Sequence, residues 1–156
     1  MDCMGQLELF LHSDAPNLPP LVRAALPHVQ FETIHPFLDG NGRVGRLLIT
    51  FLLCAGGVLS EPVLYLSLCF KTHRRTYYDL LTEVRESGNW EAWIEFFLTG
   101  VKETSDQAIA SARRIIDLLD ADRARLETLG RAAASALRVF QYAGTHPILS
   151  IVGNTR

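Results

Sequence analysis

The feature that most constrains this chain of 156 residues is one short segment, His35-Pro36-Phe37-Leu38-Asp39-Gly40-Asn41-Gly42-Arg43-Val44-Gly45-Arg46, set between two apolar runs of helical spacing. It gathers an imidazole, a carboxylate, an amide, glycines and two guanidinium groups where the flanking sequence offers only core. Pro36 disfavours the right-handed helical region for His35, so the helix arriving through Phe31 and Ile34 should stop there. The Gly40-Asn41-Gly42 triplet can take positive φ, which would turn consecutive amide N–H groups into one anion-binding concavity. A new apolar helix should open at Arg43, adding its unsatisfied first-turn donors and its positive dipole end.

Each polar residue then has a chemical reading. Arg43 and Arg46 are three apart on the first turn and could reach successive phosphates of a polyphosphate as planar forked donors. Asp39 suits Mg2+, which binds through one or two carboxylates together with substrate phosphates. His35 is the natural proton acceptor for a hydroxyl attacking one of those phosphates, since imidazole is the side chain that ordinarily titrates around neutral pH.

This string resembles the signature of the Fic (Fic/Doc fold) family, His-x-Phe-x-(Asp/Glu)-Gly-Asn-Gly-Arg-x-x-Arg, at His35, Phe37, Asp39, Gly40, Asn41, Gly42, Arg43 and Arg46. Phe31-Glu32, Leu64 to Ser67, Tyr77-Tyr78 and Trp90 to Trp93 through Gly100-Val101 are also similar to that family's helices, so the likeness is strong from Leu18 to Val101. It implies an all-α, compact Fic-type bundle with the motif loop between two central helices. It also implies transfer of AMP from ATP to a Tyr, Thr or Ser hydroxyl of a target protein, with release of pyrophosphate. By the same resemblance His35 would be the general base and Asp39 the Mg2+ ligand, with Gly40, Asn41, Gly42, Arg43 and Arg46 on the phosphates. Phe37 would point into the core and pin the loop, and Tyr78 would lie near adenine or ribose if it is not simply core. Arg85 stands where some relatives carry an asparagine that contacts the nucleotide.

The remaining sequence frames this reading. With 48% hydrophobic residues and a formal charge of −2, the chain suits one compact domain and offers no global pull toward nucleic acid or anionic lipid. Cys3, Cys54 and Cys69 are odd in number and read as free or buried thiols of a reducing, cytoplasmic compartment. The run Leu47 to Leu59 is too short to span a bilayer and reads as a core helix capped by Gly56-Gly57. Residues 1–101 are expected to form the catalytic core, and 102–156 a helical extension.

Before Pro16 a short amphipathic helix is expected, and Pro19-Pro20 should start a second whose middle is kinked or split by Pro27. His28 reads as a packed histidine. Ser67 is a candidate cap for one helix from about Leu68 to Glu86, while Asn89 should cap another carrying Trp90, Trp93, Ile94, Phe96, Phe97 and Val101. Ile109, Ile115, Ile116, Leu118 and Leu119 predict a long amphipathic helix, and a short Ala-rich one follows Gly130. Lys71, His73, Arg74 and Arg75 read first as a solvated face and second as neighbours of a nucleotide.

Against full-length relatives the chain is expected to lack the flap and inhibitory helix at its start and a complete winged helix domain after His146-Pro147-Ile148-Leu149. The inhibitory pattern (Ser/Thr)-x-x-x-Glu-(Gly/Asn) has no match, Thr82 to Ser87 coming nearest. An antitoxin-type partner chain could supply the missing glutamate, and homo-oligomerisation stays open. Two classes of function follow: an ATP- and Mg2+-dependent protein adenylyltransferase, or a catalytically compromised nucleotide-binding remnant that serves as an interaction module.

Overall fold

A computed structural model describes residues 2–13 and 18–146. The described residues form seven α-helices, one 3-10 turn and no strand: α1 (Cys3–His12), α2 (Pro20–Ile34), α3 (Asn41–Ala55), α4 (Leu66–Thr72), α5 (Arg74–Ser87), α6 (Trp90–Glu127), the turn Gly130–Ala132 and α7 (Ala133–Thr145). The expected all-α class holds. None of the helices is long and apolar enough to cross a membrane. The chain divides into two compact units, residues 1–108 and 109–156.

The first unit is built around α2 and α3, its most closely apposed pair. Its core joins Ala24, Ala25 and Val29 of α2 and Ile49 and Leu53 of α3 to Phe70, Tyr77, Leu81, Val84, Trp93 and Phe97 from α4, α5 and α6. Trp93 and Phe97 are fully buried, as their helical spacing requires, and the Trp93 indole N–H donates to the Ala25 carbonyl at 3.1 Å. Asn89 accepts from the Ala92 N–H at 3.4 Å, the expected cap on α6. Gly88, at φ 72°, closes α5, and Gly57, at φ 70°, follows α3.

Two expectations about the helices are corrected and a third is narrowed: of the kink or split expected at Pro27 no split occurs, and α2 runs from Pro20 to Ile34. A proline inside a helix costs one hydrogen bond, and here Ala24, Ala25, His28 and Val29, all buried around it, outweigh that loss by packing. Ser67 is the second residue of α4 rather than its cap; Tyr65 holds the cap position and supplies no side-chain bond.

The single helix expected from about Leu68 to Glu86 is two, parted at His73, whose φ −102° and ψ 38° leave the helical region. The apolar spacing Leu66, Phe70, Tyr77, Leu81, Val84 runs through that break without a trace of it.

In the second unit α7 half-buries Ala133, Ala136, Leu137 and Phe140. Ile109, Ile115, Ile116, Leu118 and Leu119 lie on one continuous α6 and are all exposed. The expected His146-to-Leu149 ending falls outside the described residues after His146.

Candidate active site

α2 ends as its sequence requires, at His35. Pro36 closes the right-handed region to that residue, and His35 takes the left-handed one, φ 51° and ψ 56°, while its N–H donates to the Phe31 carbonyl at 2.9 Å. It is the one residue other than glycine at positive φ among those described, a conformation that costs an L-residue roughly 1–2 kcal/mol. Arg85 satisfies the same helix end from 52 residues away. Its Nε donates to Thr33 Oγ1 at 3.1 Å and its Nη2 to the Glu32 carbonyl at 3.2 Å. Arg85 therefore braces the exposed turn that carries the imidazole.

The loop from Pro36 to Gly40 is pinned by Asn41. Its buried amide accepts from the Phe37 N–H at 2.9 Å and donates to the Phe37 carbonyl. Phe37 does not point into the core as expected. It is 49% exposed, with its ring 6.2 Å from Phe31 at the rim, because the backbone clamp of Asn41 already holds the loop.

Only Gly40 of the glycine triplet has positive φ, 87°. Asn41 and Gly42 are helical, so α3 opens two residues ahead of Arg43 and the concavity is narrower than the letters suggest. The Gly40 carbonyl accepts from the Arg43 and Val44 N–H groups, which leaves Asn41 and Gly42 as first-turn donors. No side chain caps this end of α3.

The two arginines go different ways. Arg43 meets Asp39 at 3.2 Å, both side chains being exposed, while Asp39 Oδ1 accepts from the Gly40 N–H at 2.7 Å. Arg46 lies across Gly42, its Nη1 only 3.0 Å from where a Cβ would stand. It also lines a cleft of about 270 Å³ together with Tyr65, Ser67, Lys71, Arg74 and Tyr78. Tyr78 is half exposed at this cleft, with the Arg74 guanidinium 5.6 Å from its ring centre. Tyr77 is core. The basic stretch is thus divided: Lys71 and Arg74 face the cleft, Arg75 lies 3.7 Å from Asp79, and His73 turns toward Glu103.

Beneath these groups sits a buried polar layer. His28 has no exposed surface and places Nδ1 2.9 Å from the Gly45 carbonyl and Nε2 2.9 Å from the Tyr77 hydroxyl. A carbonyl only accepts, so in the neutral ring Nδ1 carries the proton and Nε2 accepts from Tyr77. Burial lowers the His28 pKa to about 4 and raises that of the Tyr77 phenol. Glu32 is buried beside them, its Oε1 without a hydrogen-bond partner and 2.5 Å from where a Cβ on Gly45 would stand. Burial pushes its carboxyl pKa up, against the pull of Arg46, His35 and Arg85.

Reading the sequence alone passed over the structural parts of Glu32, Gly45 and Arg85. Glu32 did carry a signal, a lone carboxylate in the apolar run three residues before His35. The partners of Arg85 are set only by the fold.

Residues 1–53 match the family model described as Fic/DOC family. Over 104 residues the chain is 36% identical to proteins named "Protein adenylyltransferase Fic" from Aedes aegypti, Culex quinquefasciatus and Drosophila grimshawi, an alignment covering 66% of this chain. It covers 19%, 19% and 20% of those proteins, so the chain spans about a fifth of the length of the curated relatives it matches.

Proposed function

We propose, from the match of residues 1–53 to the Fic/DOC family model, that residues 1–101 carry a protein adenylyltransferase using ATP. The observation that supports this most is the position of Arg46. One guanidinium borders both the uncapped start of α3 and the cleft under Tyr78, the two places that the phosphates and the nucleoside of one ligand would occupy. The triphosphate would lie on the Asn41 and Gly42 amides with Arg43 and Arg46 beside it, and the base against Tyr78.

In the reaction, the hydroxyl oxygen of a Ser, Thr or Tyr on a target protein bonds to the α-phosphorus as the bond to pyrophosphate breaks. His35 takes the hydroxyl proton. Its left-handed turn ends α2 and begins the motif loop. Asp39 fits a Mg2+ ion, being an exposed hard-oxygen ligand beside the expected phosphates, and the ion would supply charge neutralisation there. Arg43 would exchange Asp39 for phosphate on binding.

Arg46, which already acts on the buried Glu32 carboxylate, would be the group that a glutamate from a separate inhibitory chain pairs with.

The test is incubation with Mg2+ and ATP labelled on the α-phosphate, in the presence of a lysate. Label should appear on protein and be lost in His35→Asn. Label carried only by γ-labelled ATP would indicate a kinase, and calorimetric ATP binding without transfer would indicate a binding module.

A further inference from the structure

The break between α4 and α5 places His73 off the apolar stripe, and three metal-type donors meet there. Cys69 lies one turn earlier on α4, and Glu103 comes from the part of α6 inside the first unit. The Cys69 sulfur, a His73 ring nitrogen and a Glu103 carboxylate oxygen all lie within 4.8 Å of one another. They border a small cavity of about 110 Å³ that Thr104 and Gln107 also line.

The approach is built into the backbone at Gly100, where a Cβ would stand 2.8 Å from the Cys69 sulfur. Any larger residue at 100 would force the thiol or its helix to shift.

His73 Nε2 and Glu103 Oε2 are 3.8 Å apart, too far for a hydrogen bond. That separation is close to what two ligands of one tetrahedral cation keep. Zn–N and Zn–O bonds of about 2.0–2.1 Å put the two atoms roughly 3.3 Å apart, and a thiolate at about 2.3 Å falls only slightly farther off. Both side chains are half exposed, so small rotations close the difference.

We propose that Cys69, His73 and Glu103 form a three-ligand site for a borderline-soft divalent cation, Zn2+ being the best match. A set of one thiolate, one imidazole and one carboxylate excludes Mg2+ and Ca2+, which take oxygen ligands. Three protein ligands leave a fourth position, open to water or to the Gln107 amide. The bound ion ties α4 to α6 directly beside Phe70 and Lys71, which line the Arg46 cleft, and so braces that wall. This site is separate from Asp39, and it stands whether or not the chain transfers AMP.

Cobalt(II) reports the site without reference to activity. Titrated into the full metal-free chain, it should give, at one equivalent, a sulfur-to-cobalt charge-transfer band in the near ultraviolet and the intense visible bands of tetrahedral cobalt, both erased by Zn2+. Cys69→Ser should remove the charge-transfer band, whereas the Cys3→Ser/Cys54→Ser double variant should keep it. Glu103→Gln changes a surface residue, and should weaken binding by about 100-fold or more, since second-shell partners alone are worth about 10–100-fold. A folded wild-type chain, checked by circular dichroism, that shows no charge-transfer band overturns the proposal. So does a band that survives Cys69→Ser, or an affinity unchanged in Glu103→Gln.

Discussion

Acidification should unlock the centre of the first unit through one side chain, His28. In the fold its pKa is about 4 against an ordinary 6.5, because burial excludes the imidazolium while Gly45 and Tyr77 bond the neutral ring. Between those two values the unfolded chain binds a proton that the folded chain does not. Stability is therefore complete above pH 6.5 and falls as the pH drops toward 4. A shift of about 2.5 units at about 1.36 kcal/mol each gives a loss of roughly 3 kcal/mol in the limit, and about 2.5 kcal/mol of it by pH 4.5.

The assay is urea denaturation followed by tryptophan fluorescence at pH 7.5 and 4.5, on wild type and His28→Gln, which keeps an amide donor and acceptor but cannot titrate. The wild type should lose roughly 2.5 kcal/mol more than the variant over that interval. Glu32 works in the opposite sense. Its raised pKa favours the fold on the acid side, with that contribution lost as pH rises through the folded value, so the pair is best repeated in a Glu32→Gln background. Equal losses in wild type and His28→Gln would refute the assignment of a neutral, doubly bonded ring.

Three further outcomes are expected. Asn41→Ala leaves the Phe37 N–H and carbonyl without their clamp, and should cost about 1–3 kcal/mol in urea denaturation and slow AMP transfer; unchanged rates would remove the loop from the site. Gly45→Ala should be net destabilising by about 1–3 kcal/mol despite the better helix propensity of alanine, because the His28 ring and Glu32 cannot both give way, and a raised melting temperature would contradict this. Arg85→Ala removes two bonds from the end of α2 and should cost about 1 kcal/mol; Arg85→Lys should recover less than half, because one ammonium cannot repeat the forked contact.

How far the sequence could be read depends on the range of the interactions involved. The end of α2 at His35, the apolar face of α3 and the burial of Trp93 and Phe97 were legible, since each follows from neighbours within a turn or two. The motif loop was legible in composition but not in conformation. Three adjacent residues able to take positive φ suggested a broad nest, yet one left-handed Gly40 suffices and Asn41 is drawn into α3 by its clamp on Phe37. The sequence left a kink or a split open at Pro27, and it gave no sign of the break at His73. At Pro27 core packing overrides a strong local breaker, and at His73 the helix breaks where nothing local asks for it. The role of Arg85 stayed open in the sequence because its partners lie more than fifty positions away.

The left-handed turn at His35 also dictates how that imidazole should be taken away. Alanine would delete the ring and, in the same stroke, penalise the main-chain geometry that carries it, so a dead Ala variant would confound lost chemistry with a displaced loop. Asparagine visits that region of backbone space several-fold more readily than most residues, which makes it the replacement that isolates the proton acceptor from its scaffold.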